Sequence, residues 1–248
     1  FRPPVPPEPA GEIVDVGAEV TDLKVGDRVV VNPQGAPSGI IGCGGAQGGM
    51  REYLLIEDAV LGKSVAVIPD TIPFDIAALN EPMAVARHCV NRSEARPTDK
   101  VLVFGADAVI DSSKEDVTAR LTELHGQGAN SLGQPRPDTD IYIDAAGVAA
   151  VVNTALTSAK WGAKLVTVAV HKKPEPIDFG AILRSEMTII GSQGYPTEIF
   201  EVTQELVEHQ DRFARLISHR VPFSEVERAF DLTLTPGAAE KVVVTFDA

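Results

Sequence analysis

Hydrophobic and polar positions follow two different patterns along the chain, and the first pattern occupies its beginning. Short runs of β-branched residues bounded by glycine, proline or aspartate cover residues 11–17 and 26–31 and predict strands. Residues 33–50 are rich in glycine and proline, which predicts a long loop, and residues 51–56 resume a strand pattern. This part of the chain therefore predicts a small, irregular β domain.

From residue 76 onward, helical patterns alternate with short apolar runs. The helical patterns cover residues 76–79, 84–90, 113–124 and 148–160, and the apolar runs typical of buried strands cover 101–104 and 164–170. Gly162 is predicted to act as the left-handed cap after the last of these helices. Strands and helices in alternation predict an α/β fold with a parallel, doubly wound sheet.

One junction in this region is too short for the fold that it belongs to. The predicted strand at 101–104 and a second strand-like run at 107–111 are separated only by Gly105 and Ala106. Parallel neighbours need a crossover of roughly a dozen residues, and a tight hairpin would place antiparallel strands inside an alternating segment. We therefore expect the sequence to lack residues at this point, as if ordered segments of a longer chain had been joined.

Composition and charge narrow the classes of partner. The 248 residues are 44% hydrophobic and 23% charged, which excludes a disordered chain, and the formal net charge of −13 disfavours nucleic acid and anionic membranes as partners. The sequence contains no apolar stretch of roughly 18 residues and no signal-like start, so we expect a cytoplasmic protein. The two cysteines are too few for a disulfide scaffold or a four-cysteine zinc site.

Six short motifs, in order along more than 180 residues, resemble successive landmarks of the medium-chain zinc-dependent alcohol dehydrogenases. They are Glu8 to Val14, Val25 to Val29, Gly48 to Tyr53, Glu81 to Ala86, Asp144 to Gly147, and Gly191-Ser192. The Glu81-Pro82 pair is similar to that of the polyol branch, which contains the sorbitol, butanediol and threonine dehydrogenases. The resemblance implies a GroES-like, β-rich catalytic domain over residues 1–84, a Rossmann-type cofactor domain over 85–195, and a return to the catalytic domain over 196–248.

Three departures from the family pattern accompany this resemblance. Pro6 and Pro7 stand where the family has a glycine and a zinc-binding histidine, and the sequence begins after the position of the cysteine ligand. The glycine-rich phosphate turn and the residue that selects the ribose are missing at the 105–107 junction, where chain geometry also requires more residues. Residues 33–50 contain one cysteine where many relatives have four, so no structural zinc is expected.

The resemblance implies that two carboxylates, Glu8 and Glu81, are the catalytic and zinc-binding residues present in this sequence. A catalytic zinc takes about three protein ligands and leaves one position for the alcohol. The alternative for Glu8 is a solvated carboxylate at the start of a strand, and the alternative for Glu81 is a charge favoured by the helix dipole.

The resemblance also implies a set of cofactor-binding residues, most of them at the carboxyl ends of predicted strands. They are Gly105, Asp144, Ala145, Gly147, Val168, Ala169, Val170, Ser192, Gln193 and Lys241. The strand-end residues are equally compatible with ordinary turns, and Lys241 with a surface lysine. His171 follows the apolar run 164–170 and is predicted to lie at the same edge.

The remaining candidates have simpler interpretations. Cys43 is predicted to be an unliganded loop cysteine, Cys89 a small buried side chain, and His88 a hydrogen-bonded structural histidine.

The favoured function is a zinc-dependent oxidoreductase that transfers a hydride between a secondary alcohol or polyol and NAD(P), with one catalytic Zn²⁺ and a slight preference for NAD. A small-molecule alcohol is the expected partner, and relatives imply a homodimer or homotetramer. One alternative is a zinc-free quinone or enoyl reductase of the same superfamily, which has no use for Glu8 and Glu81 as a pair. Another is a non-catalytic nucleotide-binding relative, which is favoured if the sequence is the complete polypeptide.

Overall fold

A computed structural model describes residues 9–37, 40–41, 48–103, 110 and 114–246. Contacts between residues divide the chain into two compact units. The first unit contains residues 1–84 together with 195–248, and the second contains residues 85–194.

The first unit is built around a three-stranded antiparallel sheet and a separate pair of parallel strands. Its elements are β1 (Ala10–Glu12), β2 (Arg28–Val31), β3 (Val65–Val67), α1 (Phe74–Ala77), the start of α2 (Asn80–Ser93), α6 (Glu201–Glu208), α7 (Gln210–Phe213), β10 (Ile217–Pro222), α8 (Val226–Leu234) and β11 (Lys241–Thr245). The central strand β2 pairs with β1 and β3, and β10 pairs with β11. Val30, Ile72, Leu206 and Val243 belong to one buried cluster, which joins the sheet to the helices and to β11.

The second unit is a parallel sheet covered by helices. Its elements are the rest of α2, β4 (Val101–Val103), α3 (Val117–His125), β5 (Gln127–Ala129), β6 (Pro135–Pro137), β7 (Ile141–Asp144), α4 (Ala149–Ser158), β8 (Lys164–Thr167), α5 (Phe179–Ser185) and β9 (Thr188–Gly191). The order of the described parallel strands is β4-β7-β8-β9, while β5 and β6 form an antiparallel pair. Tyr142 and Leu165 are fully buried beneath the helices on one face, and Ile141 and Val166 belong to a separate buried cluster with Cys89.

Several expectations from the sequence need correction. Residues 51–56 pair with no strand in the described part of the chain, although Leu54 and Ile56 pack on the core of the first unit. Helix α3 begins at Val117, because the Asp116 side chain accepts a hydrogen bond from the Ala119 amide at 2.7 Å. Helix α4 ends at Ser158, and left-handed Gly162 lies in the turn before β8 rather than at the helix end.

The short junction at 105–107 lies outside the described residues. No helix in the described part of the chain is long and apolar enough to cross a membrane.

A network of charges fastens the amino ends of three parallel strands. Asp138 accepts hydrogen bonds from Lys100 at 2.5 Å and Lys160 at 2.7 Å, and Lys160 lies 2.5 Å from Asp140. The Asp140 side chain also accepts from the Lys100 amide at 2.8 Å. Because Lys100, Asp140 and Lys160 precede β4, β7 and β8, the network holds these strands at their starting points.

The turn after β7 requires a glycine. Gly147 has a φ of 67°, in the left-handed region, and a Cβ at this position would lie 2.8 Å from the Val170 carbonyl oxygen. The backbones that follow β7 and β8 therefore lie so close together that position 147 has no room for a Cβ atom.

We predict that Asp138→Asn lowers the free energy of unfolding by about 1 kcal/mol, because it removes the charge shared by two lysines at a site partly open to water. Hydrogen bonds from Lys100 and Lys160 lower the pKa of Asp138, so its contribution is complete above the ordinary carboxyl pKa. It is lost as the pH falls through the lowered value. Chemical denaturation should show the gap between wild type and variant narrowing in acid.

The matched control for this prediction is Glu123→Gln, which breaks the exposed pair with Arg120. It should cost less than about 0.5 kcal/mol. Equal losses in the two variants would contradict a stabilising role for the Asp138 network.

A second prediction compares two left-handed glycines. Gly162 has a φ of 73° and open space where a Cβ would lie, so Gly162→Ala should cost about 1 kcal/mol from backbone strain alone. Gly147→Ala adds the collision with Val170 and should cost about 3 kcal/mol, measured by thermal or denaturant unfolding. The same cost at both positions would mean that the close approach at Gly147 does not exist in solution.

Candidate functional site

The carboxyl edge of the parallel sheet brings together most of the predicted cofactor residues. The strand ends are in register, with Asp144 of β7 opposite Thr167 of β8, and Thr167 opposite Gly191 of β9. Eight predicted residues therefore lie on three adjacent strand ends: Asp144, Ala145, Gly147, Val168, Ala169, Val170, Ser192 and Gln193. Ligands of open α/β sheets bind outside this edge.

Asp144 is the structural centre of the edge. Its main-chain carbonyl accepts hydrogen bonds from the amides of Val168 and Ala169, both at 3.1 Å. Its Oδ1 atom accepts from the amides of Ala146 at 3.0 Å and Gly147 at 2.9 Å. Because the Asp144 side chain is fully buried, these bonds replace the water that a carboxylate otherwise requires.

The second carboxylate oxygen of Asp144 is paired with a histidine. His171 Nε2 lies 2.6 Å from Asp144 Oδ2, and the imidazole is 19% exposed. The sequence placed His171 at this edge, and the structure identifies its partner. The sequence contained two signals for this pair: a histidine shortly after one predicted strand, and an aspartate at the end of a neighbouring strand.

The end of β9 contributes a buried hydroxyl. The Ser192 amide donates to the Thr167 carbonyl at 3.0 Å, which continues the ladder beyond the strand. Ser192 Oγ is buried and has no hydrogen-bond partner in the described part of the molecule. Val170, by contrast, is 82% exposed beside this edge.

These features fit a nicotinamide dinucleotide. An unsatisfied buried hydroxyl is uncommon in native proteins, and one at the carboxyl edge of a parallel sheet is suited to be completed by a polar ligand group. The exposed residues Ala145, Val170 and Gln193 leave the edge open to such a ligand. Gly105, the candidate for the phosphate turn, lies outside the described residues.

The described residues do not by themselves form a zinc site. Glu81 lies in the first turn of α2 and is partly buried, while Glu8 lies outside the described residues. No group of three or more histidine, cysteine, aspartate or glutamate side chains in the described part of the chain is arranged to hold a metal ion. Both glutamates therefore stay predicted ligands.

The residue before Glu81 has a role that the sequence did not indicate. Asn80 is 3% exposed; its side-chain amide donates to the Ile199 carbonyl at 2.6 Å and accepts from Thr203 Oγ1 at 2.8 Å. These bonds fasten the start of α2 to the segment that contains α6. The only signal was an asparagine directly after an apolar run, which is too weak to identify distant partners.

The other candidates lie as follows. Cys89 is buried, as predicted, and burial raises the pKa of its thiol. His88 is partly buried on α2, and Cys43 lies outside the described residues. Lys241 begins β11 and lines an apolar groove of the first unit, so its contact with cofactor phosphates stays a prediction.

Comparison with known protein families gives two matches. Residues 3–70 match the model described as "Alcohol dehydrogenase GroES-like domain", and residues 87–209 match the model described as "Zinc-binding dehydrogenase". Together these matches cover most of the chain.

Similar proteins include two dehydrogenases. The chain is 27% identical to (R,R)-butanediol dehydrogenase of Bacillus subtilis, over 95% of this chain and 78% of the relative. It is 26% identical to L-galactonate-5-dehydrogenase of Escherichia coli K12, over 90% of this chain and 77% of the relative.

The alignment with the butanediol dehydrogenase extends over 286 positions, although 95% of this 248-residue chain is only about 236 residues. About 50 positions of the relative therefore fall opposite gaps in this chain. The gaps agree with the expectation that the sequence lacks residues within the family frame.

Solved structures agree on the fold. The 2R,3R-butanediol dehydrogenase of Bacillus subtilis superimposes with a TM-score of 0.79 at 24% identity, covering 95% of this chain and 78% of that one. An alcohol dehydrogenase of Escherichia coli CFT073 complexed with NADH gives 0.77 at 20% identity, covering 96% and 82%. A zinc-binding dehydrogenase of Sinorhizobium meliloti 1021 bound to NADP gives 0.73 at 22% identity, with the same coverage.

The family matches and relatives agree with the order of motifs along the sequence and with the parallel sheet of the second unit. The chain belongs to the zinc-dependent medium-chain alcohol dehydrogenase family, in its sorbitol and butanediol dehydrogenase-like branch, and is an NAD(P)-dependent oxidoreductase of that family.

Proposed function

We propose that the chain oxidises a secondary hydroxyl group of a small polyol or vicinal diol to a ketone with NAD(P)⁺, and catalyses the reverse reduction. With the dinucleotide bound, its nicotinamide ring would accept the hydride from the carbinol carbon, and the hydroxyl proton would be released to solvent. The observation that carries the proposal is the set of eight predicted cofactor residues on three adjacent strand ends.

The relatives and one sequence motif support a polyol or vicinal diol as the substrate class. The relatives named above act on butanediol and on galactonate, which carry neighbouring oxygen functions. Glu81-Pro82 is similar to the pair of the polyol branch. A polyol or vicinal diol is therefore a better candidate than a simple primary alcohol.

The cofactor is proposed to lie across the carboxyl edge of β7, β8 and β9. Main-chain groups of Val168, Ala169 and Val170, and of Ser192 and Gln193, would hold the nicotinamide carboxamide, with Asp144, Ala145 and Gly147 shaping the adjacent turn. When bound, the dinucleotide supplies the hydride acceptor or donor. We propose NAD in preference to NADP, with Gly105 and Lys241 near the phosphates.

Glu8 and Glu81 are proposed as ligands of a single catalytic zinc, and no structural zinc is proposed. The described residues do not by themselves complete this metal site. A cytoplasmic location is proposed from the sequence pattern, and assembly into a homodimer or homotetramer is proposed from the family alone.

The test is a dehydrogenase assay on the purified protein with and without added zinc. NAD⁺ or NADP⁺ is supplied with butanediol stereoisomers, pentitols and hexitols, and with ethanol as the primary alcohol for comparison. Formation of the reduced nicotinamide with diols or polyols, and much less with ethanol, is the expected result. Lack of reduction with every combination, together with no binding of NADH or NADPH, would overturn the proposal.

Glu81→Gln tests the catalytic role of this carboxylate. We predict that kcat/KM falls roughly 10- to 100-fold, while the Kd for NADH changes little, because the glutamate is proposed to bind the metal rather than the cofactor.

The matched control is Glu201→Gln, which removes the acidic side chain in the first turn of α6. If Glu81 is only a charge favoured by its helix dipole, the two variants should behave alike, with small losses of stability and no loss of activity. A large activity loss in Glu81→Gln alone supports the proposed role.

Ser192→Ala tests the buried hydroxyl. Removing an unsatisfied polar group should leave the unfolding free energy of the free protein unchanged or higher, whereas the Kd for the dinucleotide should rise roughly fivefold if the cofactor completes the hydrogen bond. Calorimetry with and without NADH measures both quantities. Lower stability with unchanged affinity would assign the hydroxyl a purely structural partner.

A further inference from the structure

We infer that Asp144 and His171 act as a positioning pair that holds residues 168–170 in the conformation that receives the nicotinamide. This inference rests on the proposed function and adds a residue outside the predicted cofactor set. Neither side chain needs to touch the substrate for this role.

Residues 168–171, which directly follow β8, fold back onto the end of β7, and Asp144 fastens both ends of this short stretch. At the near end, the Val168 and Ala169 amides donate to the Asp144 carbonyl. At the far end, His171 Nε2 reaches Asp144 Oδ2 at 2.6 Å. The exposed residue Val170 lies between these attachments, so its main chain is held in position although its side chain faces water.

The turn after β7 is tied to the same carboxylate. Asp144 Oδ1 accepts from the Ala146 and Gly147 amides, and Gly147 lies directly against the Val170 carbonyl. One side chain thus connects the two loops that border the proposed nicotinamide site. A change in the position of Asp144 would be transmitted to both loops.

The role of His171 can be tested by removing its imidazole. The Asp144 side chain is fully buried, and loss of the imidazole removes the hydrogen-bond partner of its Oδ2 atom. Without the imidazole, the carboxylate is expected to shift towards solvent, and residues 168–170 are released at their far end. The cofactor then has to order this segment when it binds, which lowers its affinity.

The experiment compares the wild type with His171→Ala and His171→Gln. A glutamine side chain can place an N–H donor close to the position of histidine Nε2, whereas alanine cannot. His209→Ala is the control, because His209 is exposed and lies outside the cofactor edge. The measurements are the Kd of NADH and NADPH by nicotinamide fluorescence, kcat and KM, and hydrogen exchange of the amides in 168–171.

We expect the Kd of the dinucleotide to rise roughly tenfold in His171→Ala and to return to within about threefold of wild type in His171→Gln, in keeping with the loss and recovery of one buried hydrogen bond. The KM for the dinucleotide should rise by a larger factor than kcat falls. Amide exchange should accelerate at residues 168–171 of His171→Ala, and the control should match the wild type.

Several results would overturn the inference. His171→Ala with wild-type affinity and exchange would show that the pair does not position the segment. Uniformly faster exchange over the whole sheet, or a His171→Gln variant as weak as His171→Ala, would show a general packing role. Wild-type protein that binds neither NADH nor NADPH would overturn the proposed function itself, and the positioning role with it.

Discussion

The hydrogen-bond ladder of the parallel sheet determines where the strands of the second unit end relative to one another. Because β7, β8 and β9 pair in register, Asp144, Thr167 and Gly191 end their strands side by side. The loops that follow therefore begin next to one another, and the buried backbone groups of these loops need hydrogen-bond partners at the same edge. The edge at which these loops meet is the geometric result of three strands ending together.

The two ends of this sheet are stabilised by different chemistry. At the amino ends, Lys100, Asp138 and Lys160 form a partly hydrated charge network whose contribution depends on pH and salt. At the carboxyl ends, the buried Asp144 carboxylate is satisfied by amides and by one imidazole. The amino end tolerates water, which suits a structural role, whereas the carboxyl end excludes it around Asp144 and leaves Val170 open to a ligand.

The sequence predicted the parts of the fold that depend on local pattern. Apolar runs located β4 and β8, and helical spacing located α2 and α4, since both signals are carried by consecutive residues. Residues 51–56 show the limit of this approach. Their alternation is real, because Tyr53 and Leu55 are exposed while Leu54 and Ile56 pack inward, but a strand also needs a neighbour, and no described strand pairs with them.

The candidate site was predictable to a similar degree. Family motifs located the strand-end residues, and the position of His171 after an apolar run located it at the edge. Its bond to Asp144, 27 positions away, and the bonds of Asn80 to Ile199 and Thr203 depend on how distant segments pack. The resemblance identified Glu8 and Glu81 as candidate zinc ligands, but no metal-binding group of three or more side chains forms among the described residues.

The burial of Cys89 has a consequence for the chemical reactivity of the protein. Its thiol belongs to the same apolar cluster as Ile141, Ile143 and Val166, on the opposite face of the sheet from Tyr142, and burial raises its pKa. Thiolates, not thiols, react with alkylating reagents, so this cysteine is protected while α2 stays packed on the strands. Modification of Cys89 therefore requires α2 to separate from the strands. The rate of this modification would report how often the second unit opens.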